Sequence, residues 1–269
     1  MNERQTIVHV SDVHATVDGR LHGRIDGIER LRRVAEVVRC DGITPEAMVV
    51  SGDLIERGHA AAYPALRDAL RDIEQSIGAP VLTVPGNHDA PGAMQDLPGS
   101  PRRTALARTA GRLRFLLLDS SSGRLGPDQL DRVREELRAP AGDGTILVLH
   151  HPPVPSPLPA LAGTDLADGH ELLTLLPGTD VRAILAGHFH HPLTALVQGV
   201  PVLVAPALAY HQVMQADPDR VSGYDLALFA LIHVQPGSLT SMTLPLTSPP
   251  PLFTTDLPRS TLDLQEIAP

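Results

Sequence analysis

Six short, almost unbroken apolar runs cross the chain between residues 6 and 186, and each is followed within a few positions by a glycine, aspartate or histidine. They cover residues 6–10, 47–51, 81–84, 113–118, 145–149 and 181–186. Runs of this length without polar alternation predict strands covered on both faces. Between them, apolar residues recur at helical spacing: Ile28, Leu31, Val34, Ala35 and Val38, then Leu66, Ala69, Leu70, Ile73 and Ile77, then Leu130, Val133 and Leu137. Asp26 and Asp168 stand where helix N-caps belong. Strand–helix alternation with covered strands predicts an α/β architecture. Beyond Leu193 the helices stop. Residues 193–197, 200–205, 226–234 and 238–244 read as strands, with Gln198-Gly199 and Pro236-Gly237 as turns. The expected organisation is one domain over residues 1–247, with 193–247 as its β-rich half. A tail over 248–269 opens on Ser-Pro-Pro-Pro.

Two absences narrow the chemistry. The chain has no lysine, so all 22 basic residues are arginine. This excludes the P-loop and kinase lysines and every Schiff-base mechanism. Cys40 is the single cysteine, which excludes an internal disulfide framework, cysteine-rich zinc sites and iron–sulfur clusters held by this chain alone. The net charge of −9 argues against non-specific binding to a nucleic-acid backbone. No run approaches the ~18 apolar residues of a membrane span, and no secretory h-region follows the polar start. A cytoplasmic location is the expectation.

Five of the apolar runs lead into metal-capable side chains. The first leads to Asp12 and His14, the second to Asp53, the third to Asn87, His88 and Asp89, the fifth to His150 and His151, and the sixth to His188 and His190. Ligands in open α/β sheets collect beyond the carboxyl ends of strands, so five such ends predict one convergent site. Imidazole and carboxylate without thiolate suit Zn, Mn, Fe or Co. Even seven of these donors are too many for one ion and suit two, about 3.5–4 Å apart, as in phosphatases and nucleases. A carboxylate such as Asp53 can bridge such a pair. Only two asparagines occur, Asn2 and Asn87, and an amide oxygen ligates a cation without adding negative charge.

These motifs, Asp-x-His, Gly-Asp followed by Gly58, Gly-Asn-His-Asp, His-His-Pro-Pro and Gly-His-x-His in that order, resemble the calcineurin-like metallophosphoesterase superfamily. Residues 143–156 and 178–190 resemble, more narrowly, bacterial class III cyclic-nucleotide phosphodiesterases. The resemblance spans residues 6–234. It implies a four-layer α/β/β/α sandwich. The implied reaction is hydrolysis of phosphodiesters, foremost 3′,5′-cyclic nucleotides such as cAMP to 5′-nucleotides, by in-line attack of a hydroxide between two divalent or trivalent ions (Mn, Fe or Zn). It implies that Asp12, His14 and His190 hold one ion, that Asn87, His150 and His188 hold the other, and that Asp53 bridges. Asn87, His88 and His190 are the implied substrate contacts. His88 is the implied acid for the leaving oxygen, and Asp89 supports catalysis by orienting an imidazole.

Three alternatives stand beside that reading. Two are broader enzymes acting on glycerophosphodiesters or 2′,3′-cyclic nucleotides, or on phosphomonoesters. The third is a non-catalytic metal-binding scaffold. The expected partner is a small-molecule phosphodiester, not a nucleic-acid polymer, with a homodimer as the expected assembly. His9, inside an apolar run, reads as a core histidine. His151, His191, His211, Arg102 and Arg103 are further candidates for substrate contact. Arg30, Arg32 and Arg33 read as the wet face of a helix.

Overall fold

The apolar runs pair into two sheets that stack face to face. The computed structural model describes residues 4–17, 20–100, 106–213 and 220–255. In chain order the elements are β1 (Gln5–Val10), α1 (Gly27–Cys40), β2 (Ala47–Ser51), α2 (Tyr63–Ile77), β3 (Val81–Val84), β4 (Leu106–Ala110), β5 (Leu113–Leu117), α3 (Pro127–Glu136), β6 (Thr145–Val148), α4 (Gly169–Thr174), β7 (Val181–Ala186), β8 (Leu193–Val197), β9 (Val200–Val204), β10 (His211–Gln212), β11 (Gly223–Tyr224), β12 (Leu228–Gln235) and β13 (Ser238–Pro245). One sheet runs β13-β12-β1-β2-β3 and the other β4-β5-β6-β7-β9-β8, with β10-β11 as a separate hairpin. β1, β2 and β3 are mutually parallel, as are β5, β6, β7 and β9.

The continuity of the apolar runs has a direct cause. Successive side chains of a strand point to opposite faces, and here both faces are covered. Ile7 and Val49 of the first sheet meet Phe115, Ile146 and Leu185 of the second in a layer between the sheets. Their neighbours Val8, Val10, Met48 and Val50 point outward, onto Leu31, Val34 and Val38 of α1 and Leu66, Leu70 and Ile73 of α2. On the far side Leu116, Leu147 and Ile184 pack on Val133 of α3 and Leu172 of α4. The result is the four-layer α/β/β/α sandwich. Each large aliphatic side chain buried this way contributes about 1.5–3 kcal/mol.

The helix signals are met in part. Asp26 Oδ1 accepts from Glu29 N at 3.0 Å and caps α1. Asp168 does not cap α4 through its side chain. Its carboxylate accepts from the backbone N–H groups of Leu125 and Gly126, at 2.8–3.1 Å, and pins the entry to α3. Arg30 also departs from expectation. It is not on the wet face: its guanidinium donates to the carbonyls of Leu208 and Ala209 and to the Asp225 carboxylate. The β-rich half divides, with β8 and β9 closing one sheet and β12 and β13 closing the other. β4 and the β10–β11 hairpin are additions to the expected strands. Of the tail, residues 248–255 are exposed, with Leu252 and Phe253 uncovered. Residues 256–269, like Arg102 and Arg103, lie outside the described residues.

Candidate metal centre

The parallel strands of both sheets end on one side, and the loops that follow them are tied together by backbone hydrogen bonds. Asp12 N donates to Gly52 O (3.0 Å), His14 N to Asp53 O (2.9 Å), and Gly187 N to His150 O (2.9 Å). Leu208 N and Ala209 N donate to Ser11 O and Asp12 O, each at 2.9 Å. The turns are tight enough to force the left-handed region on side-chain-bearing residues: φ is +54° at Asp12, +48° at His14 and Asp53, +73° at His188 and +53° at His190. Such conformations cost about 1–3 kcal/mol each and cluster at functional sites. Gly86 is required by close approach. A Cβ there would collide with the Asp53 backbone nitrogen and carboxylate.

Three imidazoles are oriented in the same way. His14 Nδ1 lies 2.8 Å from Glu56 Oε2, His150 Nδ1 2.8 Å from Ser51 O, and His190 Nδ1 3.1 Å from Tyr210 O. With the Nδ1 proton given to these acceptors, each Nε2 lone pair faces inward, the arrangement typical of metal-ligating histidines. What the lone pairs face is other acceptors. His14 Nε2 and His190 Nε2 are 3.2 Å apart. His190 Nε2 is 3.3 Å from Asp12 Oδ1, and His150 Nε2 is 3.1 Å from Asn87 Oδ1. Asp53 Oδ2 sits between the two sets, 3.6 Å from His14 Nε2 and 3.4 Å from His150 Nε2. Acceptors converging on acceptors repel unless positive charge lies among them. His188 adds an Nε2 that is buried without a hydrogen-bond partner. The donor set fits a metal pair: Asp12, His14, Asp53 and His190 form one group able to hold an ion, and His150, His151 and His188 another.

The electrostatics show buried carboxylates held ionised and a pocket that draws positive charge. Burial opposes ionisation of Asp53, but His150, with its charge and hydrogen bond, and then His14 and His88 hold it well below the usual carboxylate range. Asp12 is likewise held down against burial, by His190 and then His150. Burial resists protonation of His150, yet Asp53 raises it to about 9. Burial, then His150 and His151, push His188 down to about 3, leaving the neutral imidazole that metal ligation needs.

All seven expected metal donors are thus at the same end of the molecule. His88 sits at the mouth, a quarter exposed, with Nδ1 3.1 Å from Glu56 Oε1 and Nε2 4.0 Å from Asp53 Oδ2. Asp89 does not orient an imidazole. Its carboxylate accepts from the backbone N–H of Gly86 (2.8 Å), Leu54 (3.1 Å) and Ile55 (3.2 Å) and from the Tyr63 hydroxyl (2.9 Å). It fastens the β3 loop to the β2 loop, and burial pushes it up to about 6. The orienting carboxylate is Glu56, whose two oxygens serve His14 and His88. The hydrogen bond from His14 holds Glu56 down at about 2. Glu56 lies three residues past Asp53, before Gly58, and nothing in its spacing distinguished it from a surface glutamate.

His151 is buried, its Nδ1 3.3 Å from Ser120 Oγ and its ring 4.4 Å from that of His188. His191 and His211 are near the site, each with a buried Nδ1 lacking a partner. His9 is a core histidine, bonded through Nε2 to Ser51 Oγ at 2.9 Å.

Comparison with known proteins places this geometry. The family described as calcineurin-like phosphoesterase matches residues 5–192. A cAMP/cGMP dual specificity phosphodiesterase of Mycobacterium tuberculosis is 38% identical over 89% of this chain and 79% of its own. A probable cyclic nucleotide phosphodiesterase of Rhodococcus erythropolis is 36% identical, over 89% and 83%. A glycerophosphodiester phosphodiesterase of Enterobacter lignolyticus is 26% identical, over 86% and 87%. A dimetal phosphatase from Danio rerio shares the fold with a TM-score of 0.61 at 15% identity, over 90% of this chain and 96% of its own. With metal-capable donors gathered beyond the strand ends of both sheets and relatives of this likeness along most of its length, the chain is a metallophosphoesterase of the calcineurin-like family.

Proposed function

We propose that the chain hydrolyses 3′,5′-cyclic nucleotides, cAMP foremost, to 5′-nucleotides at a two-metal centre in the cytoplasm. The observation that carries this reading is the place of Asp53 Oδ2 between two sets of inward-facing acceptors. Two relatives at 36–38% identity are named as cyclic-nucleotide phosphodiesterases, one of them probable. Asp12, His14 and His190 would hold one ion, Asn87, His150 and His188 the other, and Asp53 both; Mn, Fe or Zn suits these donors. When bound, such a pair neutralises phosphoryl charge and makes water acidic enough to act as a nucleophile near neutral pH.

The chain's own residues do the rest. Asn87 adds an acceptor without charge, so the centre stays attractive to an anionic diester. Glu56 accepts from His88 Nδ1, which turns His88 Nε2 toward the centre. A proton held at that Nε2 is available to the leaving sugar oxygen, an assistance typically about 10²–10⁴-fold. Asp89 keeps the loop bearing Asn87 and His88 in place.

The test is a substrate profile after reconstitution with Mn²⁺. The expected result is cAMP hydrolysis with kcat/KM above that for glycerophosphodiesters. His88→Ala should retain two ions per chain by metal analysis while losing 10²-fold or more in kcat. Absence of cAMP turnover in the loaded enzyme, or an empty centre in His88→Ala, would overturn this assignment.

A further inference from the structure

A metal pair grips phosphate and leaves the remainder of a nucleotide without a seat. Beside the centre lies a cavity of about 450 Å³, within the range of small-ligand sites. Tyr210 is the wall the two share. Its ring lies 4.2 Å from that of His190 and 6.0 Å from that of His14, and also 5.6 Å from that of His22, which lines the cavity. Its carbonyl is the acceptor for His190 Nδ1.

Gln212 follows on β10, where side-chain alternation returns it to the Tyr210 side. Its backbone N donates to His190 O at 2.8 Å. Its side-chain amide favours the ionised form of the Tyr210 phenol, as an N–H directed toward the phenol oxygen does. The other end of that amide, Oε1, is buried with no partner, a condition that costs about 1–3 kcal/mol. Val221 and Tyr224, both among the exposed large apolar side chains, complete an apolar rim. Arg30 pins both sides of the cavity, holding the carbonyls of Leu208 and Ala209 on one and Asp225 on the other.

We propose that this cavity seats the nucleobase of the substrate, and that Gln212 Oε1 accepts from an exocyclic amine on its edge. This rests on the cyclic-nucleotide reading and deepens it. Aromatic walls favour a flat ring, and with the N–H end of the amide directed to Tyr210, Oε1 is the end of this cavity-lining side chain left to meet a base. Adenine presents an amine where guanine presents a carbonyl. An amide oxygen therefore selects adenine, and a mismatch leaves two acceptors opposed.

The experiment compares Mn²⁺-loaded wild type, Gln212→Leu and Val221→Trp on cAMP, cGMP and bis(4-nitrophenyl) phosphate, which has no base. Val221 is half exposed, so its replacement narrows the cavity without touching the core. Both variants should lower the ratio of kcat/KM for cAMP over the aryl diester about tenfold, chiefly through KM. Gln212→Leu should also bring cAMP and cGMP toward equality. Calorimetric titration with 5′-AMP and 5′-GMP should show the same loss of preference. Ratios within twofold of wild type in both variants would overturn the base seat while leaving cyclic-nucleotide hydrolysis standing. A wild type that cleaves the aryl diester but neither cyclic nucleotide would overturn both.

Discussion

The residue that most changes the picture of the site is Glu56. One carboxylate takes the Nδ1 protons of both His14 and His88, so it couples an expected ligand to the expected acid. Glu56→Gln keeps the size and removes the charge. Metal content should fall modestly, since second partners of ligating histidines are worth about 10–100-fold in affinity or activity. With saturating metal, kcat on cAMP should still fall about tenfold, because His88 loses the carboxylate that orients its ring. A kcat equal to wild type in the fully loaded variant would assign Glu56 a purely structural part. The expected metal donors stood out in the sequence because each follows an apolar run and falls into a short motif. Glu56, Tyr210 and Ser120 were not, because each acts through contacts made only after distant loops meet.

At the scale of elements, the strands were legible almost to the residue and their partners were not. Continuous apolar runs state that both faces are covered without saying which sheet a strand joins. β8 and β9 complete one sheet and β12 and β13 the other, although all four look alike in sequence. β4 escaped notice because Arg108 and Thr109 interrupt its apolar character at an edge. Arg30 was misread for a related reason: helical periodicity places a side chain on a face but not against the loop that passes over it. Loop attachments of this kind are testable. Asp89→Asn would leave two of the four donors facing an amide nitrogen, since each carboxylate oxygen accepts from two of them, loosening the tie between the β2 and β3 loops. The expected outcome is weaker retention of metal at the Asn87 side, read as one labile ion per chain on dialysis. Two firmly held ions would assign the tie to Tyr63 and the backbone alone.

For the whole molecule, the donors come from both sheets, with Asp12, Asp53 and Asn87 from one and His150, His188 and His190 from the other. A metal pair held there would clamp the two halves of the sandwich. Saturating metal at 100 times Kd contributes about 2.7 kcal/mol. Chelation should therefore lower the Tm by about 5–10 °C in a domain of this size, and an unchanged Tm would mean that no metal is held by the folded chain. A second dependence comes from His9, whose pKa burial lowers from 6.5 to about 3. Between those values the unfolded chain binds the extra proton, so stability is full above pH 6.5 and falls as pH drops toward 3. The slope is at most about 1.4 kcal/mol per pH unit from this one group. Urea unfolding in chelator at pH 7.5 and 5.5 should show a loss in wild type that His9→Gln reduces; equal losses would assign the acid sensitivity elsewhere.

Because the expected donors begin at position 12 and end at position 190, a chain that stops short of the loop after β7 would lack part of the set whatever it has already folded, and so would a fragment from either half. Turnover would therefore report that loops far apart along one polypeptide have met, and a copy truncated before position 190 would contribute none.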